Sequence, residues 1–80
     1  MNNTVETITE IIRRCLPKTT DELSTDSNIF SLGIDSISIL NVIVDLETEL
    51  NLSFDDDELE TKNFTTIDNI YELLKKKGYA

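Results

Sequence analysis

The chain has 80 residues, 39% of them hydrophobic, which is an ordinary globular composition for one small domain over residues 1–80. Its sixteen acidic and seven basic residues give a formal net charge of -9. A surface of that sign repels phosphate backbones and anionic lipid, so we expect neither nucleic acid nor a membrane as a partner. We predict a cytoplasmic monomer. The chain has one cysteine, no signal peptide in its first residues, MNNTVETITE, and no long apolar run.

Apolar periodicity predicts an all-α fold with four helical segments and no strand. The segments cover residues of about 4–16, 36–50, 55–60 and 67–77. The third is only a short turn, whereas each of the others carries an apolar stripe at helical spacing. We therefore predict a small four-helix bundle with a short third helix and a long loop between the first two helices.

That long loop, residues 17–35, is unusual in so small a domain. Structureless connections of this length generally carry function or are disordered. This one contains five large apolar residues, which are Leu23, Ile29, Phe30, Leu32 and Ile34. We therefore predict an ordered crossover that is pinned across the helices.

The residue inventory argues against an enzyme. The chain has no histidine, so it cannot build a Ser-His-Asp or Cys-His arrangement, and it lacks the glycine-rich motifs of nucleotide-binding loops. Cys15 falls on the apolar stripe of the first helix, where a buried and inert thiol is expected. The acidic run at 55–58 lacks the spacing of a calcium loop, so we predict no resident metal site.

The stretch LGIDSISIL, residues 32–40, sets a serine between an acid and the start of the strongest predicted helix. One interpretation is purely structural: Asp35 and Ser36 are favoured helix caps, and Gly33 lets the chain turn. In the other, Asp35 alone caps the helix and Ser36 is a modification site. Free amides and the helix dipole would then favour a phosphate on its hydroxyl.

The stretches TDSNIF, LGIDSI, DLETEL, FDDDELE and FTTIDNI follow one another in this acidic chain. Together they resemble the acyl and peptidyl carrier proteins, of the discrete stand-alone type, over nearly the whole length. In that family a phosphopantetheinyl transferase moves 4'-phosphopantetheine from coenzyme A onto the serine of a Gly-x-Asp-Ser turn. The resemblance implies that Ser36 is the attachment residue and that Asp35 helps to bind the magnesium ion used only during the transfer.

The same resemblance implies partners and a pathway class. Besides the transferase, carriers of this family serve acyl- or aminoacyl-loading enzymes and synthases or transferases with basic docking surfaces. Ser38 and Asn41 stand where carriers of bulk fatty acid synthesis commonly have acids. This departure favours a specialised polyketide, nonribosomal peptide or lipid pathway. A housekeeping fatty acid carrier, an acidic interaction module of the same fold and an unloaded regulatory subunit remain alternatives.

The second helix carries more apolar residues than one core stripe needs. At about 100° per residue, one arc holds the core candidates Ile39, Val42, Ile43, Leu46 and Leu50. We predict that a second arc forms a partner face, consisting of Ile37, Leu40, Asn41, Val44, Glu47 and Thr48. Ile37 also matches the apolar residue that partners grip in the carrier family. Alternatively, this arc packs under the 17–35 crossover.

Residues 45–60 contain eight acids and no base. They are Asp45, Glu47, Glu49, Asp55, Asp56, Asp57, Glu58 and Glu60. We expect these charges to be uncompensated and to repel one another, and we expect Asp45 and Glu47, together with Asp35, to steer basic partners toward Ser36. Alternatively, the acids only solvate a small domain.

Overall fold

The computed structural model describes residues 3–16 and 23–79. Its α-helices are α1 (Asn3–Cys15), α2 (Ser36–Glu49) and α3 (Ile67–Lys76), and α1 packs against both of the others. Every regular element in the described ranges is helical, so the predicted all-α fold is confirmed. The helix bounds agree with the predicted ones to within one residue at each end. The first part of the predicted crossover, residues 17–22, lies outside the described residues.

The predicted third helix is a pair of 3-10 turns, Asp56–Glu58 and Thr61–Asn63. Hydrogen bonds join residues three apart, from Glu58 N–H to the Asp55 carbonyl at 2.9 Å and from Phe64 N–H to the Thr61 carbonyl at 2.9 Å. A segment this short gains too few bonds to nucleate an α-helix, so tighter turns replace it. The helical character predicted for 55–60 is therefore correct, but the second turn extends it to Asn63.

The helix ends follow the predicted signals. Asn51, just after α2, has a left-handed φ of 52°, a conformation that asparagine tolerates better than most residues. Thr66 caps α3, because its hydroxyl accepts a hydrogen bond from Asn69 N–H at 3.0 Å. Gly78, with φ of 86°, ends the last turn.

The core lies where the three α-helices meet. Its buried residues are Ile8, Ile11, Ile12, Leu16, Ile29, Ile34, Val42, Leu46, Leu52, Phe54, Phe64, Ile67, Ile70, Leu73 and Leu74. Burying one such side chain contributes about 1.5–3 kcal/mol relative to leaving it exposed. Ile39, Ile43 and Leu50 of the predicted core arc pack against this cluster while remaining half-buried.

The described part of the crossover, residues 23–35, is ordered by the core and by backbone hydrogen bonds. Ile29 and Ile34 are buried, and the other three apolar residues pack against the core. Ile29 N–H donates to the Thr65 carbonyl at 2.9 Å, and Asp68 N–H donates to the Thr25 carbonyl at 2.9 Å. The crossover is thus pinned to the start of α3, as predicted.

The acidic cluster is partly compensated, which corrects the expectation from the sequence. Bases from elsewhere in the chain reach it: Arg14 lies 3.1 Å from Glu49 and Lys77 lies 2.7 Å from Glu58. Lys62, two residues after Glu60, pairs with it at 3.2 Å. The sequence interval has no base inside it, but folding brings bases from α1, the second 3-10 turn and the end of α3 to its acids.

Within the described residues, no helix combines the length and apolar character needed to cross a bilayer.

Candidate functional site

Ser36 is the first residue of α2, and its position follows from the four residues before it. Gly33 has φ of 121°, a conformation that a residue with a side chain rarely adopts, so the chain can turn there. Ile34 is buried and anchors the turn in the core. Asp35 is extended, with φ of -99° and ψ of -175°, and the helix begins immediately after it. This geometry leaves Ser36 exposed at the amino end of α2.

Asp35 is the helix cap. Its Oδ1 accepts hydrogen bonds from Ser38 N–H at 2.7 Å and from Ile37 N–H at 3.1 Å. Hydrogen bonds from the Ser38 backbone, the Ser38 hydroxyl and the Ile37 backbone lower the pKa of Asp35 below its ordinary value. The side chain of Ser36 is therefore not needed for capping.

The same cap corrects one detail of the sequence argument. The sequence argument invoked free amides at the start of α2, but Asp35 already accepts from those of Ile37 and Ser38. A phosphate group on Ser36 would therefore gain from the dipole at the amino end of α2 rather than from direct bonds to these two amides.

An apolar cavity of about 310 Å³ opens beside Ser36. Its lining residues are Phe30, Ser36, Ile39, Leu40, Ile43, Leu59, Glu60, Thr61 and Phe64. α2 supplies one wall, and the segment at 59–64 supplies the opposite one. The sequence did not predict this cavity. Its lining comes from three segments, and hydrophobic periodicity does not show how such segments are placed relative to one another.

The predicted partner face is exposed along the apolar part of α2. Ile37, Leu40 and Val44 expose 71%, 60% and 56% of their surface, so this arc does not pack under the crossover. Asn41 and Thr48 are exposed beside them. Glu47 differs from the rest, because it is half-buried and its Oε2 accepts a hydrogen bond from Phe54 N–H at 3.0 Å.

Other candidate chemistry is limited in the part of the chain that the structure describes. Residues 3–16 and 23–79 contain no group of three histidine, cysteine, aspartate or glutamate side chains that could hold a metal ion. The Cys15 thiol is half-buried rather than fully buried, and burial raises its pKa, which disfavours the reactive thiolate.

Comparison with known proteins identifies the family of this chain. Residues 6–74 match the family model described as a phosphopantetheine attachment site. The chain belongs to the phosphopantetheine attachment-site family. Membership implies a covalently attached phosphopantetheine, and it makes this chain a carrier protein rather than a catalyst.

Two curated relatives are acyl carrier proteins. The carrier is 32% identical to acyl carrier protein 4, chloroplastic, of Arabidopsis thaliana over 96% of its own length, and it spans 58% of that relative. It is 37% identical to an acyl carrier protein homolog of Mycoplasma genitalium, covering 72% of this chain and 71% of the relative. The resemblance to acyl carriers drawn from the sequence is thereby confirmed.

Solved structures of carrier proteins share the fold. A carrier protein bound to Bradyrhizobium japonicum glycine:[carrier protein] ligase with an analogue of glycyl adenylate has a TM-score of 0.85 at 12% identity, covering 94% of this chain and 99% of that one. A carrier protein from Agrobacterium tumefaciens, bound to an engineered form of that ligase with AMP, has a TM-score of 0.80 at 25% identity. That second match covers 89% of this chain and 97% of the Agrobacterium tumefaciens carrier protein.

Proposed function

We propose that this protein carries 4'-phosphopantetheine on Ser36 and shuttles thioester-bound acyl or aminoacyl intermediates between biosynthetic enzymes. One observation carries the proposal. Ser36 is exposed at the amino end of α2, and the capping that would otherwise explain a serine there is performed by Asp35. The hydroxyl is accessible for modification. Replacing its O–H bond with a phosphodiester linkage leaves the cap intact, because the cap is made by Asp35.

The surroundings of Ser36 fit such a group. The amino end of α2 carries partial positive charge, which favours a phosphodiester at this position. The apolar cavity opens directly beside the same residue, within reach of a chain that starts there. When bound, phosphopantetheine supplies the thiol that forms the thioester, while the protein presents it.

Asp35 has a second proposed role during attachment. Its lowered pKa keeps the carboxylate ionised at neutral pH, next to the hydroxyl that is modified. We propose that this charge supports the magnesium ion that the phosphopantetheinyl transferase uses, and that the transferase supplies the base. Magnesium is needed only during the transfer.

The cavity favours an acyl cargo. Its lining is mostly apolar, so burying an acyl chain there removes hydrocarbon from water at about 0.8 kcal/mol per methylene. A charged ammonium would lose its hydration in the same place, so an aminoacyl cargo would stay outside. The aminoacyl alternative is supported by the fold neighbours, which are carrier proteins bound to a glycine ligase. Ser38 and Asn41 support a specialised pathway over bulk fatty acid synthesis.

We assign partner binding to the exposed arc of α2. Ile37, Leu40 and Val44 form an apolar strip next to the attachment residue, and such strips are typical of interaction sites. Asp35 and Asp45 would steer the basic docking surfaces of loading enzymes and synthases toward it. The cytoplasm remains the predicted compartment, on the cysteine usage of the sequence.

Intact mass spectrometry tests attachment. Apo protein incubated with coenzyme A, magnesium and a broad-specificity transferase should gain the mass of one phosphopantetheine. Ser36→Ala should gain none while remaining helical by circular dichroism. Ser38→Ala is the matched control, since it removes a half-buried hydroxyl two residues away, and it should still be modified. Modification at Ser38 would contradict the assignment of Ser36, and no modification with several transferases would contradict the proposal and leave the unloaded alternatives.

A further inference from the structure

The two walls of the cavity are held differently. Ile39, Leu40 and Ile43 belong to α2, a regular helix that packs on α1. The opposite wall, residues 59–64, contains only one 3-10 turn and the ends that flank it. The shape of the cavity therefore depends on what fixes this second wall, which we call the turn wall.

Side-chain hydrogen bonds join the turn wall to α3 and to the first 3-10 turn. Asn69 of α3 donates from Nδ2 to the Lys62 carbonyl at 3.0 Å. Asn63 donates from Nδ2 to the Glu58 carbonyl at 2.9 Å, which joins the two 3-10 turns to each other. Glu58 is in turn joined to Lys77, the residue that ends α3, with 2.7 Å between Lys77 Nζ and Glu58 Oε1.

The Glu58–Lys77 pair is more sheltered than the other ion pairs of the described residues. Its side chains expose only 14% (Lys77) and 19% (Glu58) of their surface, whereas those of Lys75 and Glu72 expose 49% and 61%. Glu58 Oε1 also accepts from Asp55 N–H at 2.8 Å. A partly sheltered charge pair with this additional bond is screened less by solvent than the exposed pairs, so it constrains the chain more than they do.

The pair is connected to the cavity on two sides. Leu59, which lines the cavity, directly follows Glu58 in the chain. Lys77 Nζ lies 5.8 Å from the centre of the Phe54 ring, and Phe54 packs edge-on against Phe64 with 5.5 Å between ring centres. Phe64 lines the cavity as well.

We propose that Glu58 and Lys77 are positioning residues that fix the turn wall and thereby set the length of acyl chain that the cavity accepts. The inference rests on the proposed carrier function and adds a determinant of cargo selection that lies outside the Ser36 site. With the pair intact, Leu59 is held at a fixed distance from α2. Without it, the bonds that Asn63 and Asn69 donate remain, but no charge pair holds Glu58 and Leu59 to the end of α3, so the first half of the turn wall moves outward and the cavity lengthens.

Thermal unfolding of loaded proteins tests the inference. Ser36 is loaded with phosphopantetheine bearing acetyl, butyryl, hexanoyl, octanoyl or decanoyl groups, and loading is verified by intact mass. The gain in Tm over the unacylated holo protein is then measured for each chain. In the wild type, this gain in Tm should rise with chain length, because each buried methylene adds stability. It should stop rising at the chain length that fills the cavity, which we call the levelling point.

Two variants break the pair with little change in shape. Lys77→Met keeps an apolar stem over Phe54, and Glu58→Gln keeps an acceptor for Asp55 N–H. Both should move the levelling point to longer chains. Lys75→Met is the matched control, because it removes an exposed ion pair from the same helix, and it should leave the levelling point unchanged. An equal loss of Tm in every acyl form, with the levelling point unmoved, would show a structural role only and overturn the inference.

Amide hydrogen exchange on the apo proteins separates this inference from the carrier proposal, since it needs no loading. Leu59 N–H and Phe64 N–H lie at the two ends of the turn wall and are bonded to the Asp56 and Thr61 carbonyls. In Lys77→Met, these two amides should exchange several-fold faster, while amides of α2 keep their wild-type rates. Unchanged exchange in the turn wall would overturn the inference even if Ser36 is loaded normally.

Discussion

Asp35 and Ser36 illustrate how two neighbouring residues divide structural and chemical work. Either residue type is a good helix cap, so the sequence left two interpretations open. The structure gives the cap to the carboxylate of Asp35, which bonds the amides of Ile37 and Ser38. The hydroxyl of Ser36 is then available for transfer chemistry, without a cost to the start of α2 when it is modified.

The two roles assigned to Asp35 can be separated by substitution. Asp35→Asn keeps a capping oxygen but loses the charge, so its Tm should stay close to that of the wild type while phosphopantetheine transfer slows. Asp35→Ala loses both, so it should also lower the Tm by a few degrees. Thermal melts and the rate of mass gain under limiting transferase measure the two effects. Equal transfer rates for Asp35→Asn and wild type would contradict the magnesium role.

The pH dependence of stability in acid is a separate test of the capping role of Asp35. The pKa of Asp35 is lowered in the fold, from an ordinary value of 3.8. The stability that its ionised form contributes is therefore complete above the unfolded pKa and is lost as the pH falls through the lower folded pKa. In Asp35→Asn, this part of the acid dependence should be missing.

At the scale of single residues, the sequence predicts local roles better than distant ones. The helix cap at Asp35 could be predicted because it depends on adjacent residues in one turn, whereas attachment at Ser36 stays a prediction. Two contacts between more distant residues could not be predicted: the hydrogen bond from Phe54 N–H to Glu47 and the Glu58–Lys77 ion pair. Each depends on how separate parts of the chain pack together. Angular position on the second arc predicted a partner role for Glu47, but it could not show that the Glu47 carboxylate also anchors the segment after α2.

Among the elements, α2 has two apolar faces with different roles. Val42 is fully buried, whereas Val44, two residues later, exposes 56% of its surface. The angular separation of the two arcs was readable from the sequence. The sequence also favoured solvent exposure of the second arc over burial under the crossover, and the exposed Ile37, Leu40 and Val44 agree with that prediction.

Paired substitutions on α2 test the partner face. Val44→Asp should change stability by no more than about 0.5 kcal/mol, as for most surface substitutions, while weakening recognition by the transferase or a loading enzyme. Val42→Asp should unfold the domain, because a buried unpaired charge costs more than about 4 kcal/mol in a protein of this size. Melting curves and loading kinetics measure the two outcomes. If Val44→Asp unfolds the domain, or is loaded as fast as the wild type, Val44 is not a partner residue.

The third predicted helix shows where periodicity stops being informative. The sequence FDDDELE has helical character, but the structure resolves it into one of two 3-10 turns that are held by side chains from α2 and α3. Short segments adopt the geometry that their anchors impose, since they gain little from their own bonds. Leu59, Glu60, Thr61 and Phe64 of the cavity lining lie in or next to these turns, so a sequence analysis that treated 55–60 as an independent helix could not find the cavity.

For the stability of the molecule as a whole, the net charge of the entire chain matters more than the acidic cluster at 45–60 taken alone. Ion pairs to Arg14, Lys62 and Lys77 neutralise part of that cluster, yet the chain still carries a net charge of -9. In the described residues, Asp56 and Asp57 are exposed and lie in no ion pair. Repulsion among such acids acts over roughly a Debye length, which is about 10 Å at 0.1 M salt.

Salt should therefore stabilise this protein. Added sodium chloride screens the repulsion among the net negative charges, and it also weakens the exposed ion pairs, but isolated surface pairs contribute little to stability. We expect the Tm to rise with salt, by about 4–8 °C for each kcal/mol gained in a domain of this length. The double variant Asp56→Asn/Asp57→Asn is the control: it should melt higher than the wild type at low salt and gain less from added salt. A Tm that stays flat would mean that the ion pairs already balance the cluster, and a Tm that falls would mean that they outweigh its repulsion.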